Sequence, residues 1–267
     1  MLDYLLPHIA DYDAQIYTME EYTPPEVHLP GLTLIPPAID PLSPKNMALS
    51  ADDARYIVSQ FGVDAERPYM VQVSRFDPWK DPMGVIDAYR VVKEDMPEVQ
   101  LALVGSMATD DPEGWEFFQK TFEYAEADPD IKILNNLNNV GAIEVNAFQS
   151  QSDVVLQKSI REGFGLTVTE ALWKGRPLVA GRAGGIVDQV QDGETGLLVD
   201  SVEACAAALQ TILDDPASAR QMALRGKEFV RRNFLSPRLL RDWLALFNRL
   251  DGNDLGDAQL VTASTTA

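Results

Sequence analysis

Cysteine occurs once in these 267 residues, at Cys205, and histidine twice, at His8 and His28. One thiol builds neither a disulfide framework nor a cysteine-based zinc site. With both imidazoles near the N-terminus, histidine chemistry is excluded from the remaining chain. Cations are scarce as well, 22 Lys+Arg against 41 Asp+Glu, for a formal net charge of −19. That balance disfavours DNA, RNA and anionic membranes as partners, because those surfaces reward clustered Lys and Arg. No apolar run reaches the ~18 residues that a membrane span needs. Residues 1–20 lack a basic n-region and carry Asp3, Asp11 and Asp13, which is not a secretory signal. Neither a GxGxxG fingerprint nor a GxxxxGK[ST] loop occurs, which weighs against nicotinamide dehydrogenases and P-loop ATPases. The expectation is a cytoplasmic protein, and the Lys-poor, acid-rich composition also fits a high-salt cytoplasm.

What the chain does have is enough apolar material for a core, 46% of its residues. Short apolar runs at 70–74, 101–105, 131–134, 154–156, 178–180 and 197–199 alternate with longer amphipathic stretches. The clearest of these cover 82–94, 114–127 and 165–174, and helices at 203–213, 216–233 and 237–250 follow. Strands alternating with helices predict an α/β fold, a doubly wound parallel sheet of about six strands. Residues 1–45 read differently: two strands at 14–18 and 32–36 flank a short helix, and prolines punctuate the path to a helix at 51–61. Two strands make no independent core. The expected organisation is therefore 1–45 as the remnant of a preceding domain with its linker, 46–235 as a ligand-binding Rossmann-like domain, 236–250 as a terminal helix, and 251–267 as a flexible tail.

Three segments carry candidate chemistry. REGFGLTVTE at 161–170 follows the run at 154–156, so its glycines fall at a strand-to-helix turn. Glycine lets the backbone approach a ligand there, and the following helix offers N–H groups and a positive dipole end to an anion. Glu162 before that helix and Glu170 about two turns into it can accept hydrogen bonds from several hydroxyls of one polar ligand. An ordinary turn followed by a solvated helix fits the same letters. SRFDPWKD at 74–81 places Arg75 and Lys80 after a strand end, where open α/β sheets bind ligands. A guanidinium fork and an ammonium can jointly hold a diphosphate, and solvated loop charges are the plainer reading. Gly184 and Gly185 give a third bare backbone at a strand end, and three such loops would line one crevice. Cys205 in its Ala-rich helix reads as packed.

The two glutamates with seven residues between them, plus Gly163, Phe164 and Gly165, resemble the donor-site signature of retaining glycosyltransferase family 4. More narrowly, SRFDPWKD at 74–81, IPPAIDP at 35–41 and EVNAFQ at 144–149 look like its trehalose synthase branch. The resemblance runs from about residue 11 to 250 and implies a GT-B fold, two Rossmann-like domains with the active site between them. This sequence would hold the C-terminal, donor-binding domain and only the tail of the N-terminal one. Members transfer glucose, with retention, from a nucleoside-diphosphate glucose to glucose. By that likeness Arg75, Lys80 and Glu162 are the catalytic set. Gly163, Phe164, Gly165, Leu166, Thr167 and Glu170 would bind the donor, with Glu170 on the ribose and Glu162 on the glucose. No metal or other cofactor is implied. The family's acceptor-side residues have no counterpart here, so a separate N-terminal chain or self-association through Leu239, Leu240, Trp243, Leu246 and Phe247 is expected. A nucleotide-sugar binding module without turnover and a trehalose phosphorylase are the alternatives.

Overall fold

A computed structural model describes residues 2–9, 12–23, 31–108 and 110–252. The chain divides into two units, 39–233 and the pair 1–38 with 234–267. The expected tail beyond residue 252 lies outside the described residues.

The larger unit is a six-stranded, all-parallel sheet. Its strands are β3 (Tyr69–Val73), β4 (Gln100–Val104), β5 (Ile131–Leu134), β6 (Val154–Gln157), β7 (Leu178–Gly181) and β8 (Leu197–Val199), in the order β5-β4-β3-β6-β7-β8. Every residue of β3, β4, β6 and β7 is buried, as expected for parallel strands covered on both faces. The covering helices are α2 (Ala51–Ser59), α3 (Pro82–Asp95), α4 (Pro112–Tyr124), α5 (Ala142–Gln151), α6 (Leu166–Trp173), α7 (Val202–Asp214) and α8 (Pro216–Asn233). Their starts follow local chemistry. Ser50, Asp81, Asp111 and Ser201 each accept a hydrogen bond from a first-turn N–H, and proline opens α3 and α4. One core cluster joins Met70, Leu101 and Leu156 of the sheet to Ile86 and Tyr89 of α3 and Leu209 of α7. Cys205 is fully buried within it, and burial pushes its thiol up to about 12, so it is packed rather than reactive.

The smaller unit pairs β1 (Gln15–Tyr17) in parallel with β2 (Leu32–Leu34). It also holds α1 (Leu2–Ile9) and α9 (Ser236–Leu250). Arg238 on α9 donates to the carbonyls of Pro36 and Pro37, and Arg249 donates to Thr33. Of the predicted apolar stripe, Leu246 is buried, whereas Leu240 and Phe247 remain exposed.

A polar knot closes the edge of the large sheet where its strands begin. Lys93 of α3 donates to Asp128, Asp130 and the Tyr89 hydroxyl at 2.8–3.0 Å, and Arg67, just before β3, pairs with Asp130 at 2.7 Å. Burial pushes the Lys93 ammonium down, but its three oxygen partners outweigh that and hold it well above its usual range. Burial likewise raises Asp128 and Asp130. The Asp130 N–H and then Lys93 draw Asp128 below the ordinary carboxylate value, and Lys93 and then Arg67 do the same for Asp130. Depressed carboxylates contribute stability above their unfolded pKa that is lost as the pH falls through the folded one. Lys93→Met should therefore lower unfolding stability by about 1.5–3 kcal/mol at neutral pH. It should also flatten the stability loss below about pH 4. Urea denaturation at several pH values measures both effects.

Candidate functional site

The strand order reverses between β3 and β6. From β3 the chain steps outward through β4 and β5, then returns to the other side of β3. Ligands of open α/β sheets bind outside the carboxyl ends of the strands at such a point. Here the loops after β3 and β6 meet, and a side chain inside the sheet joins them. Gln72, fully buried in β3, donates to the Lys80 carbonyl (2.9 Å) and accepts from the Lys158 N–H (2.9 Å). The Ile160 N–H adds a bond to the Trp79 carbonyl (2.9 Å), and the Arg161 guanidinium stacks 5.1 Å from the centre of the Trp79 ring.

Two ion pairs cross between these loops. Lys80 Nζ lies 2.6 Å from Glu162 Oε2, with both side chains at least 86% buried (exposures of 14% and 10%). The Ser159 hydroxyl donates to the same oxygen at 3.1 Å, and Glu162 Oε1 accepts from the Gly163 N–H at 3.2 Å. Behind them, Lys158 pairs with Asp81. Asp81 has φ +47° and ψ +51°, a left-handed conformation that costs a non-glycine residue roughly 1–2 kcal/mol. Its two carboxylate oxygens hold it there, one capping α3 at the Gly84 N–H and the other meeting Lys158. The 3-10 turn at Pro78–Lys80 thereby ends with Lys80 aimed at Glu162. Arg75 is placed differently. It is largely exposed and pairs with Asp77 at 3.1 Å, on the same loop.

The turn into α6 is shaped by its glycines. Gly165 has φ +84°, and no side chain caps the helix it opens, so Leu166 and Thr167 begin α6 at an uncapped N-terminus. Gly185, from the loop after β7, donates its N–H to the Gly163 carbonyl (3.0 Å), and a Cβ there would stand 2.8 Å from the Phe164 Cα. Gln189 secures the same stretch, donating to the Phe164 carbonyl and accepting from Thr169 Oγ1 (2.5 Å). Thr167 turns its hydroxyl to Gln157 Oε1 (2.9 Å), and the Gln157 amide continues to Ser159 Oγ (3.0 Å). A hydrogen-bonded chain thus runs from Thr167 through Gln157 and Ser159 to Glu162 and Lys80.

Glu170 lies one turn further along α6, buried, with Oε1 2.9 Å from Lys45 Nζ. Its Oε2 is buried and meets no hydrogen-bond partner among the described residues, an unusual state for a carboxylate oxygen. Lys174 reaches Asn46 Oδ1 at 3.2 Å. Burial depresses its ammonium to about 8, attraction to Glu170 opposing and repulsion from Lys45 adding.

The structure therefore joins Lys80, Glu162, Gly163, Phe164, Gly165, Leu166 and Thr167 at one turn, sets Glu170 beside Lys45, and leaves Arg75 on the rim. Sequence reasoning missed Lys45, Gln72, Lys158 and Ser159. A polar residue inside an otherwise apolar strand run was the available signal for Gln72, whereas Lys45 gave none. Among the described residues no three His, Cys, Asp or Glu side chains gather where they could hold a metal ion, and no helix is long and apolar enough to cross a membrane.

Comparison with known proteins fits this geometry. The chain is 70% identical over 252 residues to a trehalose synthase of Rubrobacter xylanophilus, and 47% identical over 250 residues to one of Pyrococcus horikoshii. Each alignment takes in 94% of this chain but 60% of the relative, so the chain spans about three-fifths of these proteins. The fold is similar to sucrose-phosphate synthase from Thermosynechococcus elongatus, with a TM-score of 0.77 at 27% identity, over 91% of this chain and 60% of that one. It has the Rossmann-like architecture of the C-terminal domain of GT-B glycosyltransferases. The profile of "Glycosyl transferases group 1" matches residues 55–229, from α2 through α8 with the whole large sheet between them, and the chain belongs to that family.

Proposed function

We propose that this chain is the donor-binding part of a glucosyltransferase that moves glucose from a nucleoside-diphosphate glucose to a second glucose, forming trehalose with retention. The 70% identity to a trehalose synthase over 252 residues carries this reading. The strand-order reversal, with cations and hydroxyl-accepting carboxylates at one turn, supports it.

In this reading the C1–oxygen bond to the diphosphate breaks, an oxocarbenium-like centre forms, and the acceptor hydroxyl bonds to C1 on the same face. Its proton passes to the departing phosphate oxygen. The protein's main electrostatic task is to stabilise the leaving diphosphate, and one such contact is worth roughly 2.7–4 kcal/mol in the transition state. Lys80 supplies it by exchanging part of its contact with Glu162 for a phosphate oxygen. The N-terminus of α6 adds N–H groups and a positive dipole end. Arg75, exposed and paired with the neighbouring Asp77, swings from the rim onto the outer phosphate. Glu162, released from Lys80, accepts glucose hydroxyls together with Ser159. Glu170 accepts the ribose hydroxyls with its buried, otherwise unpartnered oxygen.

Calorimetric titration with UDP-glucose, ADP-glucose and GDP-glucose, without added metal, tests the binding half of this proposal. One donor should bind saturably, and no binding of any would defeat it. Incubation of that donor with glucose should then yield trehalose. Binding without turnover would identify a nucleotide-sugar binding module, and phosphate-dependent breakdown of trehalose a phosphorylase. Arg75→Ala with Lys80→Ala should weaken the diphosphate donor at least about tenfold more than the plain nucleoside. Equal losses would mean that the phosphates lie elsewhere. Glu170→Ala should weaken donor and nucleoside alike, with an unchanged circular dichroism spectrum.

A further inference from the structure

One more charge reaches the site, and it comes from the chain that precedes the large sheet. Residues 40–47 form a tight turn. The Leu42 N–H donates to Asp40 Oδ1 (2.9 Å), the N–H groups of Asn46 and Met47 to the Ser43 carbonyl (2.9 and 2.8 Å), and the Asn46 amide to the Asp40 carbonyl (3.1 Å). The turn is fastened to two helices. Asn146 of α5, fully buried, donates to the carbonyls of both Pro44 (3.0 Å) and Met47 (2.8 Å). From α6 and the residue after it, the Trp173 indole donates to the Asn46 carbonyl (3.2 Å) and Lys174 to the Asn46 side chain (3.2 Å). Lys45 stands between two anchored neighbours, so its backbone is fixed while its side chain, about one-third exposed, extends to Glu170.

The Glu170 side chain is only 5% exposed. A carboxylate that deep is costly unless paired; its ion pair is with Lys45, and the buried Lys174 adds an attraction without reaching the carboxylate at hydrogen-bond distance. Lys45 occupies Oε1 and leaves Oε2, buried and unpartnered, as the acceptor still unspent. A diol bound at Oε2 would meet a carboxylate whose other oxygen is held by Lys45, and the remaining N–H groups of Lys45 can donate to hydroxyl oxygens.

We propose that Lys45 is a positioning residue for the nucleotide: it holds the Glu170 carboxylate in place and thereby sets the preference for ribose hydroxyls. This makes the turn at 40–47, outside the glycine-rich loops, part of the donor site. The proposal rests on the assignment of Glu170 to the ribose.

The experiment compares UDP, ADP and GDP with their 2′,3′-dideoxy counterparts by calorimetry, using the full chain. The parent protein should favour the ribo form of its preferred nucleotide by at least about tenfold. Lys45→Met should reduce that ratio below about threefold by weakening the ribo form alone, and Lys45→Arg should restore most of it. The dideoxy affinity, which a merely structural loss would also lower, should stay unchanged even as thermal unfolding falls below that of the parent, because Glu170 loses its partner. A Lys45→Met protein that keeps the parental ratio, or binds the ribo form more tightly, overturns the proposal. If Lys45→Met does not fold, Lys45→Gln serves with the same two criteria. Glu170→Gln separates the two assignments. If it retains the ribo preference, the ribose role of Glu170 itself fails. If it abolishes the preference while Lys45→Met keeps it, only the role of Lys45 fails.

Discussion

Gln72 places a buried amide where the strand order reverses, and the two loops that build the candidate site are bound to each other through it. A glutamine inside a strand loses its hydration, and only full satisfaction makes it tolerable. Its oxygen takes the Lys158 N–H at the end of β6, and its amide nitrogen donates to the Lys80 carbonyl. The reward is positional. With the two backbones tied at this depth, Lys80 and Glu162 need no long reach to meet at 2.6 Å, and Lys158 can brace the strained Asp81 from behind. A hydrophobic residue at position 72 would pack equally well in the sheet and leave both loops untied.

The charge arithmetic of the site runs against that of the whole chain. With a net −19, the protein repels an anionic ligand at long range, although at physiological salt exposed charges fade within about 8 Å. Close contacts decide the matter. Lys80, Lys158 and Lys45 are drawn to one end of the sheet, each matched with a carboxylate. These matches give each ammonium a carboxylate partner at close range. In the proposed reading a phosphate would share Lys80 with Glu162, so an ammonium already in place meets the incoming anion.

Much of this was legible in the sequence, and the limits have physical causes. The runs at 131–134 and 197–199 coincide with β5 and β8, those at 154–156 and 178–180 stop one residue short of the ends of β6 and β7, and those at 70–74 and 101–105 are displaced by one residue at both ends of β3 and β4. Doubly covered parallel strands are written as unbroken apolar letters, which is why they could be read. The turn at 161–170 was readable because glycine there reflects a positive φ at Gly165. α5 announced no amphipathic period, since Asn146 and Gln149 are fully buried on it and blur the division of faces. Lys45 could not be found at all. Its partner lies 125 positions away, its own segment reads as a proline-punctuated linker, and a linker lysine looks solvated until the fold closes. The boundary expected at residue 45 shows the same limit, since the larger unit already includes residues from Ile39 onward.

Stability and chemistry are placed at opposite edges of the sheet. All strands of a parallel sheet begin at one edge, and there Arg67, Lys93, Asp128 and Asp130 form a closed polar knot. At the other edge the strands end in Gly163, Gly165 and Gly185, in a left-handed Asp81, and in a Glu170 oxygen without a partner. Strain and unsatisfied polarity lower stability wherever they occur, so a fold that needs them for binding requires compensation elsewhere. The knot on Lys93 can offset such a cost, by about 1.5–3 kcal/mol on the scale of hydrogen bonds to charged groups. Its place at the opposite edge keeps it clear of the loops that follow β3, β6 and β7.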